Sequence, residues 1–106
     1  MNNEGIKMAS DINDITVNYE EDGVLKVKEL DKEILTKGAW STIVFKYQNY
    51  DYKKEDYGDT KYIIRRYRKV EGEYKPQSKF NISNTKQAKL VIEVLQKWVQ
   101  EDEKAE

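Results

Sequence analysis

The spacing of apolar and polar positions changes character twice along the 106-residue chain. Residues 1–20 are small and polar, with alternation only at Ile15, Val17 and Tyr19. So little apolar surface cannot offset the entropy of ordering, and the segment reads as a poorly ordered acidic arm. From residue 21 onward the rhythm is that of strands. The cluster Glu20-Glu21-Asp22-Gly23 reads as a turn leading into a first strand at Val24-Leu25-Lys26-Val27-Lys28, which this strand or a following one extends through Glu33-Ile34-Leu35. Lys37-Gly38 punctuates the chain. Ala39 to Tyr50 (AWSTIVFKYQNY) is the longest strand candidate, rich in β-branched and aromatic residues. Period-2 alternation puts Ser41, Ile43, Phe45 and Tyr47 on one face, taken as the core face.

Asp51 to Asp59 is polar and ends at Gly58-Asp59, a hairpin loop. Thr60 to Val70 is the next strand and Glu71-Gly72-Glu73 a tight turn. Tyr74 to Ile82 is a further strand expected to begin after Pro76, since proline cannot donate to a ladder interior. The rhythm then becomes helical. Asn84 with Gln87 fits a capping box, and Ala88, Val91, Ile92, Leu95, Trp98 and Val99 form one apolar stripe. The predicted architecture is α+β: a curved antiparallel four-stranded β-sheet followed by a long C-terminal α-helix (ββββα), with the helix packed on one sheet face. It occupies residues 21–100, and 101–106 form an acidic frayed tail.

Composition narrows the chemistry. There is no cysteine and no histidine, which excludes disulfides, thiolate metal sites and hydrolases of the Ser-His-Asp or Cys-His type. Asp51, Glu55, Asp56 and Asp59 can be drawn around a magnesium ion, but they lie on an exposed lysine-bearing loop and read as a solvated hairpin. No enzyme, metal or cofactor is expected. No apolar run approaches the roughly 18 residues that span a bilayer, and the N-terminus lacks a signal-peptide core. The expected setting is cytoplasmic, at the nucleoid if the cell is bacterial.

The net charge of −1 conceals an asymmetry. Residues 1–36 carry four lysines against nine acids, and residues 37–80 carry eleven Lys and Arg against six acids. The stretch Tyr62 to Ser83 holds all three arginines, Arg65, Arg66 and Arg68, among tyrosines and a phenylalanine. A single-stranded nucleic acid offers a line of phosphates and a row of base planes. Its binder needs cations for the first and aromatic or guanidinium planes for the second. Lys46, Tyr47, Arg65, Tyr67, Arg68, Lys69, Lys75 and Lys79 are candidates on adjacent strands.

One local motif resembles the positive-cofactor-four type of transcriptional coactivator, in the superfamily of single-stranded-DNA-binding regulators that includes the Pur-alpha repeat and the Whirly proteins. It comprises Arg65-Arg66-Tyr67-Arg68, then Glu71-Gly72-Glu73-Tyr74-Lys75-Pro76-Gln77-Ser78-Lys79, then Ile82-Ser83-Asn84 before the helix. The coactivators show a similar R-x-Y-W, then E-G-E-x-K-P-x-x-K and an I-S segment. The resemblance implies a sheet that grips DNA with strand and turn cations, Arg65 matching the strand arginine and Lys75 and Lys79 the turn lysines. Arg68 stands where the family places a stacking tryptophan, and Phe80 where it has a glycine. It also implies dimerisation through the helices, and the excess apolar width of the C-terminal helix independently reads as a homodimer interface at Leu95, Trp98 and Val99.

The expected function is therefore a single-stranded nucleic-acid-binding protein, DNA ahead of RNA, serving transcription or DNA metabolism, and binding by phosphate contacts and base stacking on the open sheet face opposite the one the helix covers. The alternative is a protein-interaction adaptor whose acidic arm and basic sheet meet protein partners, or each other.

Overall fold

The computed structural model describes residues 9–105. Six strands, β1 (Tyr19–Glu21), β2 (Val24–Thr36), β3 (Trp40–Asp51), β4 (Asp56–Tyr57), β5 (Lys61–Val70) and β6 (Glu73–Ile82), precede one helix, α1 (Thr85–Ala105). The sheet is antiparallel throughout, in the order β1-β2-β3-β5-β6, with β4 paired to β3. It curls into a half-barrel. The α+β class is as the sequence implies, but the strands among the described residues are six rather than four. The two short ones fall below the length at which a two-residue period can be read.

Two hairpins set the register. Asp22-Gly23 and Glu71-Gly72 both adopt positive φ at each position (53° and 77°, 52° and 80°). That is the twisted two-residue turn that matches the right-handed twist of flanking strands. Glycine takes the second position because it carries no Cβ penalty there. Val24 to Thr36 is one long strand rather than two, kept in register by bulges between Glu29 and Asp31 and between Ile34 and Thr36. Pro76 lies inside β6, not before it. The strand is at the sheet edge, and a bulge opposite Arg66/Tyr67 accommodates the missing amide.

Directly opposed residues share a face, so the ladder divides the sheet into two surfaces. The inner one carries Ser41, Ile43 and Phe45, all fully buried, with Ile63, Tyr67 and Tyr74 beside them. This is the face that alternation singles out. What covers it is the unexpected part. Residues 9–18 cross the sheet and insert Ile12, Ile15 and Val17 into the same cluster at 8, 5 and 6% exposure. The expectation of a poorly ordered arm over 1–20 therefore does not describe residues 9–20; residues 1–8 lie outside the described part. Apolar residues at 12, 15 and 17 follow neither helical nor strand spacing over any length, because a short 3₁₀ turn (Ile12–Asp14) capped by Asp11 re-aims them.

The helix departs from expectation in the opposite direction. Asn84 caps it as its spacing to Gln87 predicts, its Oδ1 accepting from Gln87 N (2.8 Å) while Gln87 Oε1 accepts from Ser83 N (2.7 Å). Yet α1 buries no residue, and its only substantial contact with the sheet is to β6. The deepest apolar face of the sheet is already filled by residues 9–18, so the helix finds no second site there. The expected frayed tail is helical to Ala105. Good helix formers continue there and Lys104 faces the negative end of the helix dipole. The radius of gyration, 16.3 Å, exceeds the ~13 Å of a compact chain of this length. No helix among the described residues is long and apolar enough to cross a membrane.

Because residues 9–18 supply the second layer of the core, Ile15→Ala is expected to lower unfolding free energy by about 2–4 kcal/mol. Urea denaturation followed by circular dichroism measures this; an unchanged midpoint would mean that Ile15 is not packed.

Candidate nucleic-acid interface

The β5–β6 hairpin concentrates the charge. From Lys61 to Ile82 it carries seven cations against Glu71 and Glu73 in the turn. Among the described residues the one ion pair lies elsewhere, between Lys26 and Glu21 on the β1–β2 hairpin. There the Lys26 hydrogen bond, followed by that of Tyr19, holds the Glu21 carboxyl below its usual range, and the bond to Glu21 raises the Lys26 ammonium. A depressed carboxyl favours the fold above its unfolded pKa, and that contribution disappears as pH falls through the folded value. Among the described residues the arginines of β5 have no such partner.

Register decides which way each cation points. With Val70 opposite Glu73, the ladder runs Lys69–Tyr74, Arg68–Lys75 and Tyr67–Pro76; after the bulge it resumes at Arg66–Ser78 and Arg65–Lys79. The bulge leaves Gln77 unpaired. Lys75 and Lys79, four residues apart, would share a face in a regular strand; the extra residue places them on opposite faces. Of the eight candidate residues, Tyr47, Arg65, Tyr67, Lys69 and Lys79 belong to the inner face. Lys46, Arg68 and Lys75 belong to the outer one. The eight are not one patch. This differs from the expected single open face: Arg65 and Lys79 lie on the core side, neighbours such as Lys46 and Tyr47 alternate across the sheet, and the bulge is the reason for Lys75.

On the inner face Arg65 and Lys79 stand opposite each other at the end of the core. With Tyr47, Asn49 and Asn81 they line a groove of about 300 Å³ whose other wall is residues 16–19. Tyr67 is only 3% exposed, and neither its hydroxyl nor Arg65 Nε has a hydrogen-bond partner among the described residues. Tyr67 is thus a core residue in this arrangement and offers no ring to a ligand. Lys69 lies over the Tyr74 ring at 5.2 Å.

Asn49 also borders a second depression of about 570 Å³ at the β3–β4 tip, with Tyr52, Lys53 and Lys61 around it. Tyr52 is 55% exposed and braced edge-on by Tyr50 (5.1 Å). Sequence pattern alone does not single out Tyr52, Lys53 or Lys61. Their loop reads as a solvated hairpin, and only the pairing of β4 with β3 folds its tyrosines against the strand. The carboxylates Asp51, Glu55, Asp56 and Asp59 form no metal-binding group among the described residues.

The outer face has a different character. Trp40 sits opposite Arg68 and receives two guanidinium groups, Arg66 at 4.7 Å and Arg68 at 5.4 Å. Phe80, 56% exposed, pairs with Ile64, which pairs with Val44. On the helix Leu95, Trp98 and Val99 are 53, 57 and 51% exposed, with Leu90, Ile92 and Val94 similarly uncovered. No element among the described residues covers this stripe. No protein-family model, curated protein or solved structure matches the chain.

The Trp40 stack gives a stability test. Trp40→Ala removes both cation–π contacts and is expected to cost about 1–2 kcal/mol, with less loss at high salt than Phe45→Ala, whose contribution is apolar. Equal salt dependence of the two variants in urea unfolding would contradict the stack.

Proposed function

We propose that the chain binds single-stranded nucleic acid along the inner side of the β5–β6 hairpin. The observation that carries this reading is the set of four inner-face cations on this hairpin, Lys61, Arg65, Lys69 and Lys79, free of ion pairs among the described residues, with exposed Tyr52 at the adjoining β3–β4 tip. Cations left unpaired by their own protein keep their full attraction for a polyanion, and no carboxylate must be displaced first. Arg65 and Lys79 take phosphates in the groove. Lys61 and Lys53 continue the line toward the β3–β4 tip, where Tyr52 offers a ring on which an unstacked base can lie. Groove and tip share Asn49, so one strand can follow both. A duplex would hide its base planes from Tyr52; a single strand exposes them. DNA is placed ahead of RNA on the resemblance of the Arg65–Asn84 motif to single-stranded-DNA-binding coactivators, and a role in transcription or DNA metabolism follows from the same likeness.

The working unit in this proposal is a homodimer joined through α1. The helix stripe and the Trp40–Val44–Ile64–Phe80 outer face are both uncovered in the single chain. A second copy satisfies both surfaces at once, as a two-fold interface requires.

Fluorescence anisotropy with a labelled mixed-sequence DNA 20-mer tests the binding. Arg65→Ala combined with Lys79→Ala is expected to weaken it at least about tenfold and to flatten the log K against log salt slope by about 1.4, roughly 0.7 for each phosphate no longer neutralised. Lys104→Ala should leave both unchanged. No binding at low salt to either a DNA or an RNA 20-mer would reject the reading and favour the adaptor alternative. For the dimer, light scattering of the eluting protein is expected to give twice the chain mass, falling to one chain in Leu95→Glu; a monomeric parent chain would reject it.

A further inference from the structure

We propose that residues 9–18 are a displaceable cover, which nucleic acid must turn out in order to run the length of the inner face. This rests on the nucleic-acid reading above and adds a regulatory element to the same site.

The attachment of this segment is uneven. Its three apolar side chains are well buried, but among the described residues its backbone joins the sheet by a single direct hydrogen bond, Tyr74 N to Ala9 O at 2.8 Å. The other ties run through side chains. Lys32 Nζ donates to the carbonyls of Asn13 (2.8 Å) and Ile15 (2.6 Å), the Glu29 carboxylate accepts from Thr16 Oγ1 (2.6 Å) and Val17 N (3.3 Å), and Asn18 Oδ1 accepts from Glu29 N (2.7 Å). Long side chains at a surface hold such bonds weakly, so it is the burial of Ile12, Ile15 and Val17 rather than a hydrogen-bonded ladder that keeps the segment closed.

The face beneath shows what closure leaves unsatisfied. Tyr67 Oη and Arg65 Nε, both polar and both without solvent or partner among the described residues, are neighbours of the covered cluster. Each orphaned group disfavours the closed form. With the cover in place, the groove stops at Thr16 and Val17; with it turned out, Arg65 and Tyr67 join Tyr47 and Lys79 on one continuous surface. Opening in water would expose Ile43, Phe45 and Ile63, so the open form is rare in the free protein. Bases are flat and largely apolar on their faces, and stacked against Tyr67 they replace the cover that has left. Nucleic acid and residues 9–18 therefore compete for one face, and the closed state lowers apparent affinity by the fraction of molecules that are open.

The chain has no cysteine, which allows a lock. Ala9 and Tyr74 are an antiparallel bridge pair; such pairs place Cα atoms about 4.5–5.5 Å apart, within disulfide range. In the full chain carrying Ala9→Cys and Tyr74→Cys, the oxidised form is expected to bind the DNA 20-mer at least about tenfold more weakly than the reduced form of the same protein. Each sample is its own control for the lost tyrosine. Equal affinity in the two forms overturns this inference alone. Binding by neither form, with the parent chain also silent, removes the nucleic-acid reading and this inference with it. Failure of the pair to oxidise would mean that Ala9 does not rest against Tyr74, and also overturns it. A second variant reads the opposite direction: Lys32→Met cuts both carbonyl ties. It is expected to tighten binding about two- to fivefold although a positive charge is lost; weaker binding, as simple charge loss demands, overturns the proposal.

Discussion

A single curled sheet has two faces and must find something to lay against at least one of them. In this chain that requirement is met by three aliphatic side chains, Ile12, Ile15 and Val17, set on Ile43, Phe45 and Ile63. The helix does not share the task. Among the described residues the buried apolar core comprises nine side chains, so each carries a large share of what opposes chain entropy. This contact defines which face is inner and leaves the other for Trp40 and its two guanidinium partners. A core so thin also accounts for the flat, spread shape of the lone chain.

The second determinant is one unpaired residue. Gln77 interrupts β6, and everything after it is offset by one position relative to a regular strand. Lys79 is brought opposite Arg65 on the inner face while Lys75 remains beside Arg68 on the outer one. The hairpin thereby presents charge on both sides of the sheet: one group faces a groove lined by amide and phenol side chains, the other an aromatic face.

Much of the architecture is legible in the residues. The Ser41–Tyr47 alternation locates the inner face because β3 is central and paired on both sides, so its period is undisturbed. Asp22-Gly23 and Glu71-Gly72 mark the turns because only a narrow set of residues tolerates two successive positive φ values. Asn84 and Gln87 mark the helix start for a similarly local reason. What cannot be read depends on contacts distant in sequence. Ile15 and Val17 carry only a brief alternation and Ile12 stands outside it; their burial exists only where β3 and β5 already lie side by side. The division of the eight candidate side chains between faces needs the bulge, and a bulge is a property of two strands together. The stripe on α1 is plainly apolar, but its period says nothing about whether its own sheet lies beneath it.

Pro76 and the kink at Gln77 have an effect beyond the placement of side chains. They lie on the outermost strand, where a sheet ordinarily invites another to join it. An incoming strand would meet a missing amide, then an irregular step, then an ammonium group at Lys79. Growth by ribbon addition is blocked at that rim, so β6 gives no foothold for open-ended stacking into fibrils.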